Sequence, residues 1–418
     1  MGSADLVHRH HCDIHAALNS TIPARQGMKS IPARSHAEQG LFANVANWFR
    51  RRSITSKTSY AAVVPTTEAS TWTELCVTAE PAVQDQLLIE VIAPFVRPKN
   101  NDGNSRSVVF MRERVDKTPR LRVWIDQASS TELDDLLVAA KSRASGARFD
   151  VLPGVSPHFD QGPFSGTLAT SFFIDLLTDA TPLLLDRIEA IAAKRVSRMA
   201  VALDMMVAQL PAIDIARVFP ERYPYARKDA EFPVAFPVYR SHADGFFVLS
   251  KDPVQARAQL DAQYERTRAA LHERITAVLS QFKGGPIVSE AGQQWHELAG
   301  KHLLRADEAI RSGTLIVRWD EGYLGDSHSL AGSLFHRLVQ HAPGLRSFLR
   351  LDPGYLAART MLSGLYLVLN NLGLRLVDRV FLCHAISRSC EDVYHVEATS
   401  IIRNLARFFA SRRAARRA

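Results

Sequence analysis

Apolar and polar positions are ordered so that strands are predicted early in the chain and helices late. Trp72 to Thr78 (WTELCVT) predicts a first strand with Glu74 and Cys76 on one face. Leu87, Leu88, Val91, Ile92 and Phe95 recur at helical spacing and predict a helix over Ala82 to Phe95, ended by Pro94 and Pro98. The stretch Arg97 to Arg106, with Asn100, Asn101, Asp102, Gly103 and Asn104, is turn chemistry. It leads into Ser107 to Asp126, two strand-like runs joined by a polar turn. Thr131 to Ala144 predicts a helix with Thr131 as its cap.

Val151 to Thr170 is rich in Gly and Pro, lacks a period, and is expected to be a functional loop or linker. Phe172 to Leu210 carries the apolar stripe Leu176, Leu177, Leu183, Leu184, Ile188, Ile191 and predicts a long helical region interrupted near Pro182. The five prolines of Pro211 to Tyr239 predict a surface excursion. Further helices are expected over Asp252 to Phe282, Ala291 to Ile310, Ser327 to His341, Tyr355 to Asn370 and Val377 to Arg388, with a strand over Gly313 to Trp319. Asn370-Asn371-Leu372-Gly373 breaks the chain between the last two helices. The closing IIRNLARFFASRRAARRA reads as a frayed, solvated terminal helix.

The expected class is α+β: a mixed or antiparallel sheet with an arginine-rich β-ribbon, and a large helical portion. One domain over residues 59–400 is expected between a disordered basic N-terminal tail, 1–58, holding a short helix near Leu41 to Arg51, and a basic C-terminal helix or tail, 401–418.

Charge changes this picture little. The chain is +8 overall, residues 1–58 contribute +5 and residues 401–418 +6, so the body is −3. The basic character belongs to the tails, and such tails attract any acidic partner without choosing one. Direct tRNA binding is not expected. No run of eighteen apolar residues or secretory signal is evident, so a cytoplasmic protein without a membrane span is expected. Cys12, Cys76, Cys383 and Cys390 form no CxxC and predict neither a disulfide framework nor a zinc knuckle. His8, His10, His11, Cys12 and His15 have metal-ligand chemistry, but a tail without a supporting shell does not specify a site, and no metal or cofactor is expected. Walker, GxGxxG, GxSxG and HExxH motifs are missing, which moves nucleotide-dependent and common hydrolytic chemistry down the order.

The ribbon is the first functional lead. Arg112 and Arg114 share one face of their strand, and Arg120 and Arg122 share one face of theirs, so two pairs are placed to converge on a single anion such as a carboxylate. The bland alternative is a solvent-facing edge whose arginines pair with Glu113, Asp116 and Asp126.

From about Trp72 to Asp392 the chain resembles the C-terminal, elimination-type domain of lantibiotic dehydratases, also found alone as thiopeptide-type bacteriocin biosynthesis proteins. The likeness rests on Trp72 and ELCVT, then LLIEVIAPFV, then VVFMRERVDKTPRLRVW, and on SGLYLVLNNLG from Ser363 to Gly373 where that family has a "SxLHMxxNRLG" helix end. The resemblance implies work on a ribosomally made precursor peptide. In eliminating members, ribbon arginines and the helix-end histidine act on a glutamyl ester of Ser or Thr to leave a dehydro-residue. By position Arg112, Arg120 and Arg122 match the ribbon arginines, with Arg114 and Asn370 as substrate contacts. The helix-end histidine falls at Tyr366, and the arginine after Asn370 is Asn371.

That replacement has a chemical consequence. Elimination needs a base for the α proton, and a tyrosine titrating near pH 10 is a poor one. Joining two dehydroalanines into the nitrogen ring of a thiopeptide relies more on orienting and polarising, for which arginines and a tyrosine suffice. His158, His242, His328, His336 and His384 are the histidines available to replace the base, and His242, in the aromatic-flanked YRSHADGFF loop, is the one placed to line a cleft. The expected function is therefore lyase-type maturation of a bacteriocin-like peptide by ring formation or glutamate elimination. The precursor peptide and a glutamylating enzyme are the implied partners. The alternative is a non-catalytic leader-peptide recognition subunit.

Overall fold

The structure, a computed structural model, describes residues 71–96, 107–158, 163–223, 232–318 and 332–415. The expected N-terminal tail with its histidine cluster and short helix, the whole Arg97 to Arg106 turn, and His328 lie outside the described residues. Strands β1 (Trp72–Thr78), β2 (Val108–Val115), β3 (Thr118–Asp126) and β4 (Arg148–Pro153) form an antiparallel sheet of order β2-β3-β1-β4. The α+β class holds, with the antiparallel of the two expected sheets.

One helical rod, α1, runs through Pro81–Leu87, a π-helical turn at Leu88–Ile92, and Ala93–Val96. Pro94 therefore sits inside its last turn rather than ending it. The π turn lets Leu87, Leu88, Val91 and Ile92 all bury, and Leu87, Val91 and Ile92 meet Leu75, Val77, Leu121 and Val123 of the sheet. Helix α2 (Ser130–Arg143) is capped by Ser129, not Thr131, in a capping box with Glu132.

Residues Asp116 and Lys117 join β2 to β3 as a two-residue turn, both at positive φ. That turn fixes the register: Val115 pairs Thr118, Arg112 pairs Leu121, and Glu113 pairs Arg120. Directly paired residues share a face, so Arg112 and Arg114 lie with Leu121 while Arg120 and Arg122 lie with Glu113 and Met111. The two arginine pairs occupy opposite faces of the sheet. Their expected convergence on one anion is corrected by this register.

Downstream, the Val151 to Thr170 stretch is not wholly irregular, because β4 extends to Pro153 and β5 (Phe164–Ser165) pairs with β6 (Ile316–Val317). Helix α3 (Ala169–Ala192) runs through Pro182. The interruption falls later, where Lys194 turns the chain at φ 56° before α4 (Arg198–Ala212). The short α5 (Ile215–Val218) lies in the expected surface excursion, and α6 (Pro237–Leu249) begins in it and makes a helix of the YRSHADGFF stretch expected as a loop, yet Tyr223, Phe236 and Tyr239 are buried. Proline content signalled the chain's turns but not the depth of its aromatics.

Long helices α7 (Pro253–Gln281) and α8 (Glu290–Arg311) follow, then α9 (Leu334–Gln340), α10 (Pro343–Leu351), α11 (Pro353–Asn371), α12 (Leu376–Tyr394) and α13 (Ala398–Ala415). Helix α8 packs along α4 and α11, and α12 packs along α6 and α7. Helix α13 is docked on α9 and α10 rather than frayed, with Ile402 buried and Phe409 stacked on Phe348 at 4.8 Å.

The end of α11 closes the free edge of β2. Asn371 Nδ2 donates to the Phe110 carbonyl (2.6 Å), its Oδ1 accepts from the Arg112 amide (3.2 Å), and Asn370 Nδ2 donates to the Arg112 carbonyl (2.6 Å). Two side-chain amides thus act as the missing neighbouring strand. Arg112 locks the joint: Nε donates to the Asn371 carbonyl (2.8 Å), and a terminal nitrogen meets Asp85 of α1 at 2.5 Å. Arg198 of α4 takes the other Asp85 oxygen at 2.7 Å.

Candidate functional site

Helices α6, α11 and α12 bring four polar or titratable side chains together. His242 Nδ1 lies 2.5 Å from the Tyr366 hydroxyl, with their rings 5.3 Å apart. The same hydroxyl is 3.4 Å from Cys383 Sγ, and the Arg379 guanidinium stands 4.4 Å over the Tyr366 ring, a cation–π contact. Tyr366 and Asn370 are one turn apart on α11, so the helix that stoppers β2 also presents the tyrosine.

Electrostatics keep this pair neutral. Burial, reinforced by the charges of Arg359 and Arg379, pulls His242 down to about 3. Burial also holds the Tyr366 phenol well above 10, with Cys383 adding to the rise and Arg379 opposing it. Burial pushes the Cys383 thiol up to about 11. Neither His242 nor Tyr366 changes charge near neutral pH, so together they offer a short hydrogen-bond relay and not a base. Such a relay is suited to polarising a carbonyl.

The ribbon arginines are committed elsewhere. Arg122 binds Glu74 through two nitrogens at 2.6 and 2.8 Å, stacks 4.4 Å over Trp124 and reaches His158 Nε2 at 2.9 Å. Arg120 pairs with Glu113 at 3.6 Å, and Arg114 is exposed beside the hairpin turn. Arg112 is buried in the Asp85 and Asn371 joint. The structure therefore brings together His242 and Tyr366 among the expected site residues, and places Arg112 and Asn370 at the junction behind them. Arg120 and Arg122 stand on the other face of the sheet.

Sequence reasoning missed Arg379, Arg359 and Cys383. Arg379 and Cys383 are four residues apart on α12, a one-turn repeat visible in the chain, but nothing in the chain says that this face meets Tyr366. Of the other histidines, buried His384 bonds Asp261 at 2.9 Å and is pulled down to about 4, mainly by burial. Among the described residues no three His, Cys, Asp or Glu are grouped to hold a metal ion, and no helix is long and apolar enough to cross a membrane.

These histidines make stability depend on pH. An unfolded histidine takes up its proton near 6.5, whereas His242 and His384 remain neutral in the folded protein down to about 3 and about 4. Between those limits the unfolded state binds more protons, so the stabilisation is full above the unfolded value and is lost as pH falls. The urea midpoint is expected to drop between about pH 7 and about pH 4.5, and to drop less in His384→Gln.

This arrangement, a small antiparallel sheet stoppered by a long helix of a helical body, defines an α+β fold shared with proteins of known structure. TsrL matches with a TM-score of 0.65 and 22% identity, over 80% of this chain and 98% of that one. The pyridine synthase TbtD, from thiomuracin biosynthesis, matches with a TM-score of 0.53 and 18% identity, over 78% of this chain and 99% of that one. The tRNA-dependent lantibiotic dehydratase MibB from Microbispora sp. 107891 gives a TM-score of 0.39 and 15% identity over 29% of its length, below the level from which a shared fold follows. No protein-family profile and no curated protein sequence matches the chain.

Proposed function

We propose that this chain belongs with the thiopeptide-type bacteriocin biosynthesis proteins and matures a ribosomally made peptide, its chemistry being ring formation between dehydroalanines. The observation that carries this reading is the neutral Tyr366–His242 pair at the helix-end position of the resembled family. A group poised near neutral pH would be needed to remove an α proton, and this pair is tuned away from that at both ends. Holding a peptide carbonyl and strengthening a hydrogen bond to it as charge develops requires only a fixed neutral donor. The fold shared with TbtD, a pyridine synthase, over nearly its whole length supports the same reading. The precursor peptide is the partner, and separate glutamylating and glutamate-eliminating enzymes supply the dehydrated substrate.

Incubation of the purified protein with a dehydrated precursor and, separately, with a glutamylated one tests this by peptide mass. Loss of water or of the leader from the dehydrated peptide is expected. Loss of glutamate from the glutamylated peptide would move the function to elimination, and binding of both without mass change would make the chain a recognition subunit.

A further inference from the structure

Beside the Tyr366–His242 pair, the preceding residue of α6 heads a second chain of hydrogen bonds. Ser241 Oγ lies 3.2 Å from His336 Nε2, His336 Nδ1 lies 2.8 Å from Ser333 Oγ, and the Ser333 hydroxyl donates to Asp244 Oδ2 at 3.2 Å. The donor order follows from the far end. Ser333 has one hydroxyl proton and spends it on Asp244, so it accepts from His336 Nδ1–H. Nε2 is then left as a lone pair facing Ser241, which must donate to it.

The scaffold makes this order rigid. Ser241 and Asp244 are three residues apart on one face of α6, and Ser333 and His336 are three apart at the start of α9, so two helix turns hold all four groups. Asp244 is buried and held by Arg240 at 3.0 Å and Arg257 at 3.1 Å. Burial lowers His336 below its ordinary value, Arg359 adds to the fall and Asp244 opposes it, so the ring is neutral and its Nε2 lone pair faces Ser241. Ser241 and His336 are themselves only partly buried.

We propose that Ser241 is a nucleophilic serine, activated by His336, that accepts acyl groups from ester substrates at a point beside the His242–Tyr366 pair. A nucleophile, a base bonded to it and groups that orient the base are the parts such a step needs. Attack by Oγ on an ester carbonyl carbon forms the Oγ–C bond and passes the hydroxyl proton to His336 Nε2. As the C–O bond to the alcohol breaks, the same proton goes to the departing alkoxide. Water then repeats the sequence on the acyl-serine, releasing the free acid and restoring Ser241. This activity is additional to ring formation and does not depend on it.

The test uses the full-length protein and a fluorophosphonate probe, which reacts by forming an Oγ–P bond and expelling fluoride. One adduct is expected, placed on Ser241 by peptide mass mapping. Ser241→Ala should abolish it, and His336→Gln should slow it by roughly 10²-fold or more, the usual worth of a positioned base. Ser333→Ala, which removes only the hydroxyl that sets the ring's proton order, should also slow labelling and provides the reading if His336→Gln fails to fold. Absence of any adduct, an adduct that survives Ser241→Ala, or labelling at the wild-type rate in folded His336→Gln or Ser333→Ala would each overturn the proposal. The Ser333–His336 contacts would then serve only to cap α9.

Discussion

Tyr366→Phe is expected to slow ring formation by about 10²–10³-fold while leaving precursor binding and the fold in place. The substitution keeps the ring, and with it the 4.4 Å contact under Arg379. It removes one hydroxyl, whose partners are His242 Nδ1 at 2.5 Å and Cys383 Sγ at 3.4 Å. The stability cost is that of one hydrogen bond and an unpaired histidine nitrogen, about 1–3 kcal/mol. Under the proposed ring formation the catalytic cost is larger, because a donor to the substrate carbonyl would be lost where its hydrogen bond strengthens as charge develops. Single-turnover kinetics on a dehydrated precursor, with a separate binding isotherm, check this. A variant that turns over at the wild-type rate would take Tyr366 out of the chemistry, and one that binds poorly would make it a substrate contact instead.

Arg112→Ala is expected to destabilise the protein by roughly 3 kcal/mol or more, the cost of removing one member of a buried ion pair. Arg112 is 8% exposed, and its loss strips Asp85 of one cation and the Asn371 carbonyl of its donor. Arg198 still holds Asp85 at 2.7 Å, which keeps the cost from rising further. Urea unfolding measures the loss. Any fall in turnover should accompany loosening of the joint between β2 and α11, and hence of the helix that carries Tyr366. A substitution that abolished turnover without lowering the urea midpoint would instead place Arg112 in contact with substrate.

Part of this site was legible in the chain. Tyr366 and His242 were candidates because a tyrosine stood where a histidine was expected and because a histidine lay among aromatics, and the structure puts them in hydrogen-bond contact. Their companions on α12 and α9 were not legible, since a helical stripe says which residues share a face but not which face meets which. The ribbon shows the limit from the other side. Alternation correctly paired Arg112 with Arg114 and Arg120 with Arg122, yet which pair faces which depends on whether the turn holds two residues or three.

The chain alone determined the α+β order of elements, the hairpin around its polar turn, most of the long helices and the helix stop at Gly373, because these follow from periodicity and turn chemistry within about twenty residues. Only the tertiary structure decided that Asn370 and Asn371 complete the edge of a strand about 260 residues earlier, that Arg112 is a clamp, and that Tyr366 is kept neutral beside His242. Those outcomes depend on burial and on contacts between distant segments. The free energy of a charge or a hydrogen bond is set by what surrounds it after packing, and local sequence does not specify those surroundings.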